Sequence, residues 1–309
     1  MAASGAAFAQ SSVSLTGKLR FAYGDAKTSA GVKTTGVGVT DGDWNIAAVE
    51  DLGGGLKAGA NMALRLRGRD VAVDGAQSNG ARPRDSSMYL TGGFGTVTVG
   101  AVEAGNGILG LVTAGGPTYI GLDNGVQLAA ASNVDLLQYT SPAMNGFSVK
   151  ALMIDSVGAG GAQATSTSQD ATVVGLNYAN GPLSAAIDMT NYGLNSLTAG
   201  ADSRTRMSAN YNLGVAIVGA GYQTAKTTAG IKKNETAVSV SAPFGAFNVG
   251  MIYATSKTDG VAGNNTGYDF AVQYNLSKRT YVALQGQSAK TANVAGTNTN
   301  TRVQLAHSF

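Results

Sequence analysis

Apolar and polar residues alternate with a period of two along almost the whole chain, from Val13 to Phe309. The stretch from Leu56 to Arg67 shows the pattern most cleanly, because every second residue is apolar and the others are mostly polar, small or cationic. A β-strand directs successive side chains to opposite faces, whereas a helix would scatter these apolar residues around its circumference. The pattern therefore predicts strands with one apolar and one polar face.

Two kinds of connection separate these segments, and they alternate along the chain. The short ones contain Gly, Asn and Pro, which supply the backbone angles of tight turns. They lie at 51–54, 92–95, 142–145, 180–181, 212–214, 243–245 and 276–278. Longer ones are predicted near 25–41, 70–84, 104–133, 156–170, 192–203, 226–233, 257–266 and 291–299. Fifteen connections separate sixteen strands, and an even count with short turns at one end is typical of outer-membrane barrels.

The composition separates a membrane barrel from other fold classes. Charged residues make up 13% of the chain, whereas soluble proteins carry about 25%. No segment approaches the roughly 20 consecutive apolar residues of a transmembrane helix, but barrel strands need no such run. A soluble all-β protein is the alternative. It would carry its charges outside an apolar core, whereas these charges fall in loops and on the polar face of the strands.

The first residues suggest export. Residues 1–9 are nearly all small, and Ala7-Phe8-Ala9 before Gln10 fits the small-x-small pattern of a signal-peptidase site. We expect residues 1–9 to be the tail of a signal peptide, with a short disordered leader as the alternative. Residues 10–309 are expected to form a single barrel domain. The lack of cysteine fits an exported protein that needs no disulfides.

The charges in phase with the polar face predict a positive interior. A cation facing lipid at mid-bilayer costs about 2–4 kcal/mol, so charges on strands should face water. The cations assigned to the inner face are Lys18, Arg20, Lys57, Arg65, Arg67, Lys150, Arg204, Arg206 and Arg302. The acids assigned to it are Asp43, Asp85, Asp188, Glu235 and Asp269. An excess of Lys and Arg in a pore favours anions over cations.

The sequence offers little for catalysis. It contains one His, no Cys and no HExxH-type or Gly-rich phosphate motif, so we expect no enzyme activity, metal site, cofactor or nucleic-acid partner. His307, the single histidine, falls on the outward phase of the last strand. The interpretation is therefore a channel.

Six segments resemble, in family order, parts of Gram-negative general-diffusion porins. They are SSVSLTG at 11–17, EDLGGGLKA at 50–58, GFGTVTVG at 93–100, YTSP at 139–142, YNLSKRT at 274–280 and AHSF at 306–309. The series covers essentially the entire chain. The resemblance implies an all-β, membrane-spanning, sixteen-stranded antiparallel barrel that forms a homotrimer. It also implies short periplasmic turns, long external loops and a third loop folded into the lumen.

The constriction loop implied by the resemblance spans about 104–133. Its acids are Glu103 at its start and Asp123 within it. In the family such acids face wall arginines, so Asp123 is expected opposite Arg20, Arg65 and Arg67. Alternatively, Asp123 only caps a turn. The acidic-aromatic signature often found in the third loop of relatives is missing, so the narrowest part of the pore is expected to be wider, or its charge differently placed, than in close relatives.

Phe309 is the other residue with a role implied by the resemblance. The C-terminal pattern resembles the signal that the barrel-assembly machinery reads, and the alternative is an ordinary girdle aromatic. Both interpretations predict that Phe309 faces lipid.

The sequence thus predicts an outer-membrane porin for passive diffusion of small hydrophilic solutes, with a preference for anions. The expected partners are outer-membrane lipid and lipopolysaccharide, other copies of the chain, the barrel-assembly machinery, and small hydrophilic or anionic solutes. Two alternatives remain open. One is a substrate-specific channel for anionic nutrients, and the other is a structural or adhesive surface barrel with an occluded lumen.

Overall fold

The computed structural model describes residues 12–66, 82–104, 132–155, 171–193 and 200–309, and these ranges contain sixteen β-strands. The strands are β1 (Ser12–Lys27), β2 (Lys33–Gly53), β3 (Leu56–Arg65), β4 (Arg82–Gly92), β5 (Gly95–Ala104), β6 (Ser132–Thr140), β7 (Phe147–Asp155), β8 (Ala171–Asn180), β9 (Leu183–Tyr192), β10 (Ala201–Asn212), β11 (Ile217–Thr227), β12 (Lys232–Phe244), β13 (Phe247–Thr258), β14 (Asn265–Asn275), β15 (Thr280–Lys290) and β16 (Asn298–Ser308). Within the same ranges, no helix has the length and apolarity needed to cross a membrane.

All neighbouring strands pair antiparallel, and the sheet closes on itself because β1 pairs with both β2 and β16. The last residue completes the closure. The backbone N–H groups of Gly17 and Phe309 each donate to the other residue's carbonyl oxygen at 2.9 Å. A closed sheet leaves no edge with unpaired backbone groups, which is the condition for a sheet to span a bilayer. The predicted sixteen-stranded barrel is confirmed.

The two faces of the sheet have the expected chemistry. The outward phase carries large exposed apolar side chains such as Val13, Met88 and Val303. The inward phase of β11–β16 is lined by small or polar side chains, among them the buried Gln223 and Ala237. This is the reverse of a soluble protein, in which large apolar residues fill the interior. The apolar exterior needs a lipid environment.

Tight turns at one end of the barrel follow from glycine. Gly54 and Gly55 alone separate β2 from β3, and both have positive φ, 61° and 81°. A two-residue hairpin loop of this kind needs positive φ at both positions, a conformation that residues with a Cβ rarely adopt.

The prediction of a long loop at 25–41 is wrong. The strands β1 and β2 are 16 and 21 residues long, and only residues 28–32 connect them. Their ladder continues through this region, with Tyr23 opposite Val37 and Lys27 opposite Lys33. The Gly- and Thr-rich composition suggested a loop, but hydrogen bonding to β1 holds it extended.

Other connections at the same end of the barrel as residues 28–32 are also shorter than expected. Residues 228–231, 259–264 and 291–297 join β11 to β12, β13 to β14, and β15 to β16. The predicted loop at 70–84 overlaps β4, which begins at Arg82. The predicted loop at 104–133 overlaps β5 and β6, and its residues 105–131 lie outside the described part of the chain.

Candidate functional site: two charge clusters on the inner wall

Seven charged residues on five adjacent strands form a network that we name the first ion cluster. Its members are Lys18 and Arg20 on β1, Asp41 and Asp43 on β2, Arg65 on β3, Arg84 on β4, and Glu103 on β5.

Asp41 anchors the β1 side of this cluster. Its carboxylate lies 2.8 Å from Lys18 Nζ and forms an ion pair with Arg20. The register explains these contacts, because Arg20 stands directly opposite Asp41 and Lys18 opposite Asp43. Directly opposite residues share a face of the sheet, so both pairs point to the same side.

Asp43 links this pairing to β3 and β4. Its carboxylate accepts from Arg65 Nε at 3.5 Å and forms an ion pair with Arg84. Glu103 extends the network, because Arg84 Nη2 lies 3.1 Å and Arg65 Nη2 lies 3.9 Å from its carboxylate. Every acid of the first ion cluster therefore contacts at least two cations.

A β-bulge directs Arg84 into the cluster. The register between β3 and β4 runs from Met62 opposite Ser86 to Leu64 opposite Pro83, so two residues of β4 face one of β3. A bulge of this kind shifts the phase of the strand beyond it. Arg84 consequently reaches Asp43, and the Asp85 side chain instead accepts a hydrogen bond from the backbone N–H of Glu103 at 2.7 Å. Simple alternation had assigned Asp85 to the inner face and missed Arg84.

Sequence reasoning also missed Asp41, because it was assigned to a loop. A usable signal was present. Asp41 and Asp43 are two residues apart, so in a continuous strand they must share a face.

Four residues on β7, β9 and β10 form the second ion cluster: Lys150, Asp188, Arg204 and Arg206. Arg206 binds Asp188 through two parallel hydrogen bonds, from Nε to Oδ1 at 2.8 Å and from Nη2 to Oδ2 at 2.6 Å. Such fork-shaped pairing is the strong geometry for Arg and carboxylate. Lys150 Nζ lies 3.4 Å from Asp188 Oδ2, on the other side.

Gly175 on β8 leaves the space through which Lys150 reaches Asp188. Lys150 stands opposite Gly175, and Gly175 stands opposite Asp188, so the three form one row across the sheet. A Cβ added to Gly175 would lie 2.6 Å from Lys150 Cε and 3.0 Å from its Cγ. The lysine therefore passes directly over the glycine.

Arg204 completes the second ion cluster, and one further predicted cation, Arg302, lies outside both clusters. Arg204 lies two residues from Arg206 on β10, and its guanidinium carbon stands 6.0 Å from the centre of the Tyr192 ring, within cation–π range. Arg302 on β16 donates from Nε to the side-chain oxygen of Gln285 at 2.6 Å.

Exposure differs between the acids and most of the cations. The Asp41, Asp43 and Asp188 side chains are 8%, 7% and 2% exposed, whereas Lys18 is 42%, Arg84 29% and Lys150 24% exposed. Glu103, at 36%, is the exposed acid of the first ion cluster. The aspartates lie beneath the cations, and the cations present most of the charged surface to the water-accessible side.

The remaining predicted residues divide between the described and the other parts of the chain. Arg67 and Asp123 lie outside the described residues. Phe309 lies on the outer face, where its ring contacts Trp44 edge-on at 4.9 Å and covers Gly17, at which a Cβ would collide with the ring. Among the described residues, no group of three or more His, Cys, Asp or Glu side chains could hold a metal ion.

Comparisons with known proteins agree with this architecture. The family model described as Gram-negative porin matches residues 1–293. The outer membrane porin protein 32 of Delftia acidovorans is 32% identical over 324 residues, covering 94% of this chain and 86% of that protein.

Two solved structures share the fold at lower identity. An anion-selective porin from Comamonas acidovorans is 23% identical and superimposes with a TM-score of 0.77, covering 97% of this chain and 100% of that one. A loop-deletion mutant of OmpT, an outer membrane protein of Vibrio cholerae, is 14% identical with a TM-score of 0.71, covering 97% and 99%.

Proposed function

We propose, from the premise that this chain belongs to the Gram-negative porin family and forms a passive channel through the outer membrane, that the channel prefers anions. One of the similar solved structures is described as an anion-selective porin, and the proposal extends that preference to this chain.

The exposure difference within the ion clusters carries the proposal. Most charges that contact lumenal water belong to Lys and Arg, while Asp41, Asp43 and Asp188 are buried beneath them. The two clusters together hold seven cations and four acids, so their net charge is positive. An ion in the pore is closer to the cations than to the buried acids, and Coulomb interactions fall with distance.

The buried aspartates act as positioning residues in this mechanism. Each one holds two or more cations against the wall, which keeps the charged groups along the inner face of the barrel. In the described part of the chain, Lys18, Arg84 and Lys150 keep 42%, 29% and 24% of their side chains exposed, so they can attract anions from the water of the lumen.

The direct test is the reversal potential of the purified protein in planar bilayers under a KCl gradient. We expect a chloride permeability greater than the potassium permeability, and the ratio should fall as salt rises, because mobile ions screen the wall charges. A potassium preference at low salt would overturn the proposal. Saturable block of the current by one anionic nutrient would instead favour a substrate-specific channel.

The assembly proposal is a homotrimer without cofactor or enzyme activity, embedded in outer-membrane lipid and lipopolysaccharide and inserted by the barrel-assembly machinery. Phe309 supports the last point, because the C-terminal residue seals β1 to β16 and is 37% exposed on the outer face. Light scattering of the detergent-purified protein should give a mass of three chains, and a monomer mass would contradict the trimer. Phe309→Ala should reduce the yield of folded barrel in cells.

A further inference from the structure

A cavity of about 450 Å³ lies at the end of the barrel opposite the Gly54-Gly55 turn, where β1, β15 and β16 meet. This volume falls within the range of about 300–1,000 Å³ that small-molecule pockets occupy. We name it the mouth cavity. The side chains that give it its chemistry are amides, hydroxyls and one small apolar residue: Thr28, Gln287, Ala289, Thr291, Asn298 and Asn300.

The register places the amides of the mouth cavity on the inner face of the barrel. Asn300 stands opposite Gln287 on β15 and opposite Ala26 on β1, and directly opposite residues share a face of the sheet. Gln287 is buried, and Asn300 alternates along β16 with outward residues such as Val303, which is 50% exposed. The amides therefore face the lumen at this end of the barrel.

Hydrogen bonds hold the rim of the mouth cavity in shape. The backbone N–H of Ser29 donates to Asn298 Oδ1 at 2.8 Å, and the backbone N–H of Ala292 donates to Asn265 Oδ1 at 2.7 Å. The connections that follow β1 and β15 also touch each other, because a Cβ added to Gly296 would collide with the carbonyl oxygen of Ser29. A site that is ordered before binding loses less conformational entropy when a ligand enters.

The wall beside the mouth cavity has no net charge. Within β14, β15 and β16, which the structure describes in full, the charged side chains of the inner phase are Asp269 and Arg302. Arg302 Nε donates to the side-chain oxygen of Gln285 at 2.6 Å, so this cation already has a partner. Lys27 borders the mouth cavity, but its side chain is on the outer face of β1. The mouth cavity thus differs from the ion clusters, in which cations outnumber acids.

Amides and hydroxyls without net charge match the hydroxyl groups of a sugar. Each amide offers donors and an acceptor, and each hydroxyl of a sugar is both a donor and an acceptor. Asn298 uses its Oδ1 for Ser29, which leaves its Nδ2 as a donor for a ligand. The small residues Gly267 and Ala289 stand opposite each other in the sheet, so the C–H face of a sugar ring can approach the wall closely.

We propose that the mouth cavity binds a neutral polyhydroxylated solute of the size of one sugar ring. Binding there raises the concentration of this solute at the entrance of the channel, and it makes the uptake of the solute saturable. The site rests on the proposed function in one respect, that the lumen is open to solutes. It does not depend on the preference for anions, because Asn300, Gln287 and Thr291 carry no charge.

The test measures the binding of D-glucose to the full-length protein by saturation-transfer NMR. The protein is purified in a zwitterionic detergent, because detergents with sugar headgroups would compete for the site. The variants are Asn300→Ala and Thr291→Val. The matched control is Thr301→Val, which removes a hydroxyl from the neighbour of Asn300 on the outer face of β16. Unchanged heat-modifiable gel mobility establishes that each variant is folded.

Asn300→Ala and Thr291→Val should each bind D-glucose about two- to tenfold more weakly than the native protein, because one net hydrogen bond is lost. Thr301→Val should bind it unchanged. D-glucuronate, which has the same ring and a carboxylate, should bind no more tightly than D-glucose. Unchanged affinity in both variants, or no binding of D-glucose to the native protein, would overturn the proposal.

Displacement of D-glucose by chloride, or much tighter binding of D-glucuronate, would also overturn it, because the mouth cavity would then be a site for anions. The reversal potential under a KCl gradient should be the same in Asn300→Ala, Thr291→Val and the native protein. A failure of sugar binding is therefore distinguishable from a failure of the proposed anion preference.

Discussion

The two ion clusters on the inner wall differ in the number of acids and in the way the backbone builds them. The first ion cluster combines four cations with three acids on five adjacent strands, and several of its side chains have more than one partner. The second combines three cations with one acid, and its contacts converge on Asp188. The first depends on a bulge that redirects Arg84, whereas the second depends on regular register and one glycine.

The difference shows that the loss of a buried acid costs less stability where its cations have a second acid as a partner. In the first ion cluster Lys18, Arg65 and Arg84 each contact two acids, so each of them keeps one acid when the other is removed. In the second, Asp188 is the carboxylate that both Lys150 and Arg206 contact. The same change, from aspartate to asparagine, should therefore have different consequences in the two places.

Asp188→Asn should give the largest effect. The carboxylate is 2% exposed and accepts from two cations, and removing one partner of a buried pair costs about 3–5 kcal/mol. We expect a loss near the lower end of that range in the free energy of unfolding. Urea unfolding in lipid vesicles, followed by the fluorescence of Trp44, measures it. Asp25→Asn on the outer face is the control, and its change should stay below about 0.5 kcal/mol. Similar losses for both variants would contradict the role of Asp188.

Gly175→Ala should rank second. The added methyl group would occupy the path of Lys150, and overpacking of this kind costs about 1–3 kcal/mol. The cost should fall below about 0.5 kcal/mol when Lys150 is also replaced by Ala, because sites that no longer touch behave additively. Gly38→Ala, where no atom lies within 4 Å of the added Cβ, is the control. If Gly175→Ala cost the same stability with and without Lys150, the glycine would be needed for the backbone conformation and not for the space that Lys150 occupies.

Asp43→Asn should cost less than Asp188→Asn, below the range of about 3–5 kcal/mol for a buried pair that loses one partner. Arg84 and Arg65 keep Glu103, and Lys18 keeps Asp41, so no cation of the first ion cluster loses its last acid. The same urea titration compares the two variants. If Asp43→Asn destabilised the barrel as strongly as Asp188→Asn, the remaining acids of the first ion cluster would not compensate for the loss of Asp43.

Lys18→Gln should have the smallest effect on stability but a measurable effect on permeation. Lys18 is the most exposed cation of the two ion clusters, at 42%. A unit charge about 10 Å from an ion in water contributes about 0.4 kcal/mol before screening, so the anion-to-cation permeability ratio should fall about two- to fourfold.

The control for this measurement is Lys27→Gln, which removes the same charge from the outer face of the same strand. Its reversal potential should equal that of the native protein. Asp41→Asn should shift the ratio in the opposite direction from Lys18→Gln, because it removes a negative charge from the same wall. An equal shift from Lys18 and Lys27 would show that the net charge of the protein, and not the lining of the pore, sets the preference.

The number of strands and the faces of their side chains could be predicted from the sequence, because both depend on local sequence patterns. Alternation of side chains is a property of each strand, so the number of strands and the faces of Lys150 and Arg206 followed without knowledge of neighbours. The loop at 25–41 was misread for the opposite reason. Its residues are compatible with either a loop or a strand, and pairing with β1 decided between them.

The partners of each charge could not be read in this way. A bulge between β3 and β4 changes the phase by one residue and directs Arg84 inward in place of Asp85, and alternation alone carries no sign of it. The contact between Lys150 and Asp188 depends on the registers of three consecutive strands. It also depends on the empty space at Gly175.

By itself, the sequence determined a sixteen-stranded barrel with an apolar exterior, because strand period and turn chemistry are local, and it predicts an interior richer in cations than in acids. The tertiary structure decided which acids lie beneath which cations, and that the last residue, Phe309, closes the sheet against Gly17. These features depend on register, and register is a relation between strands that only the closed barrel sets.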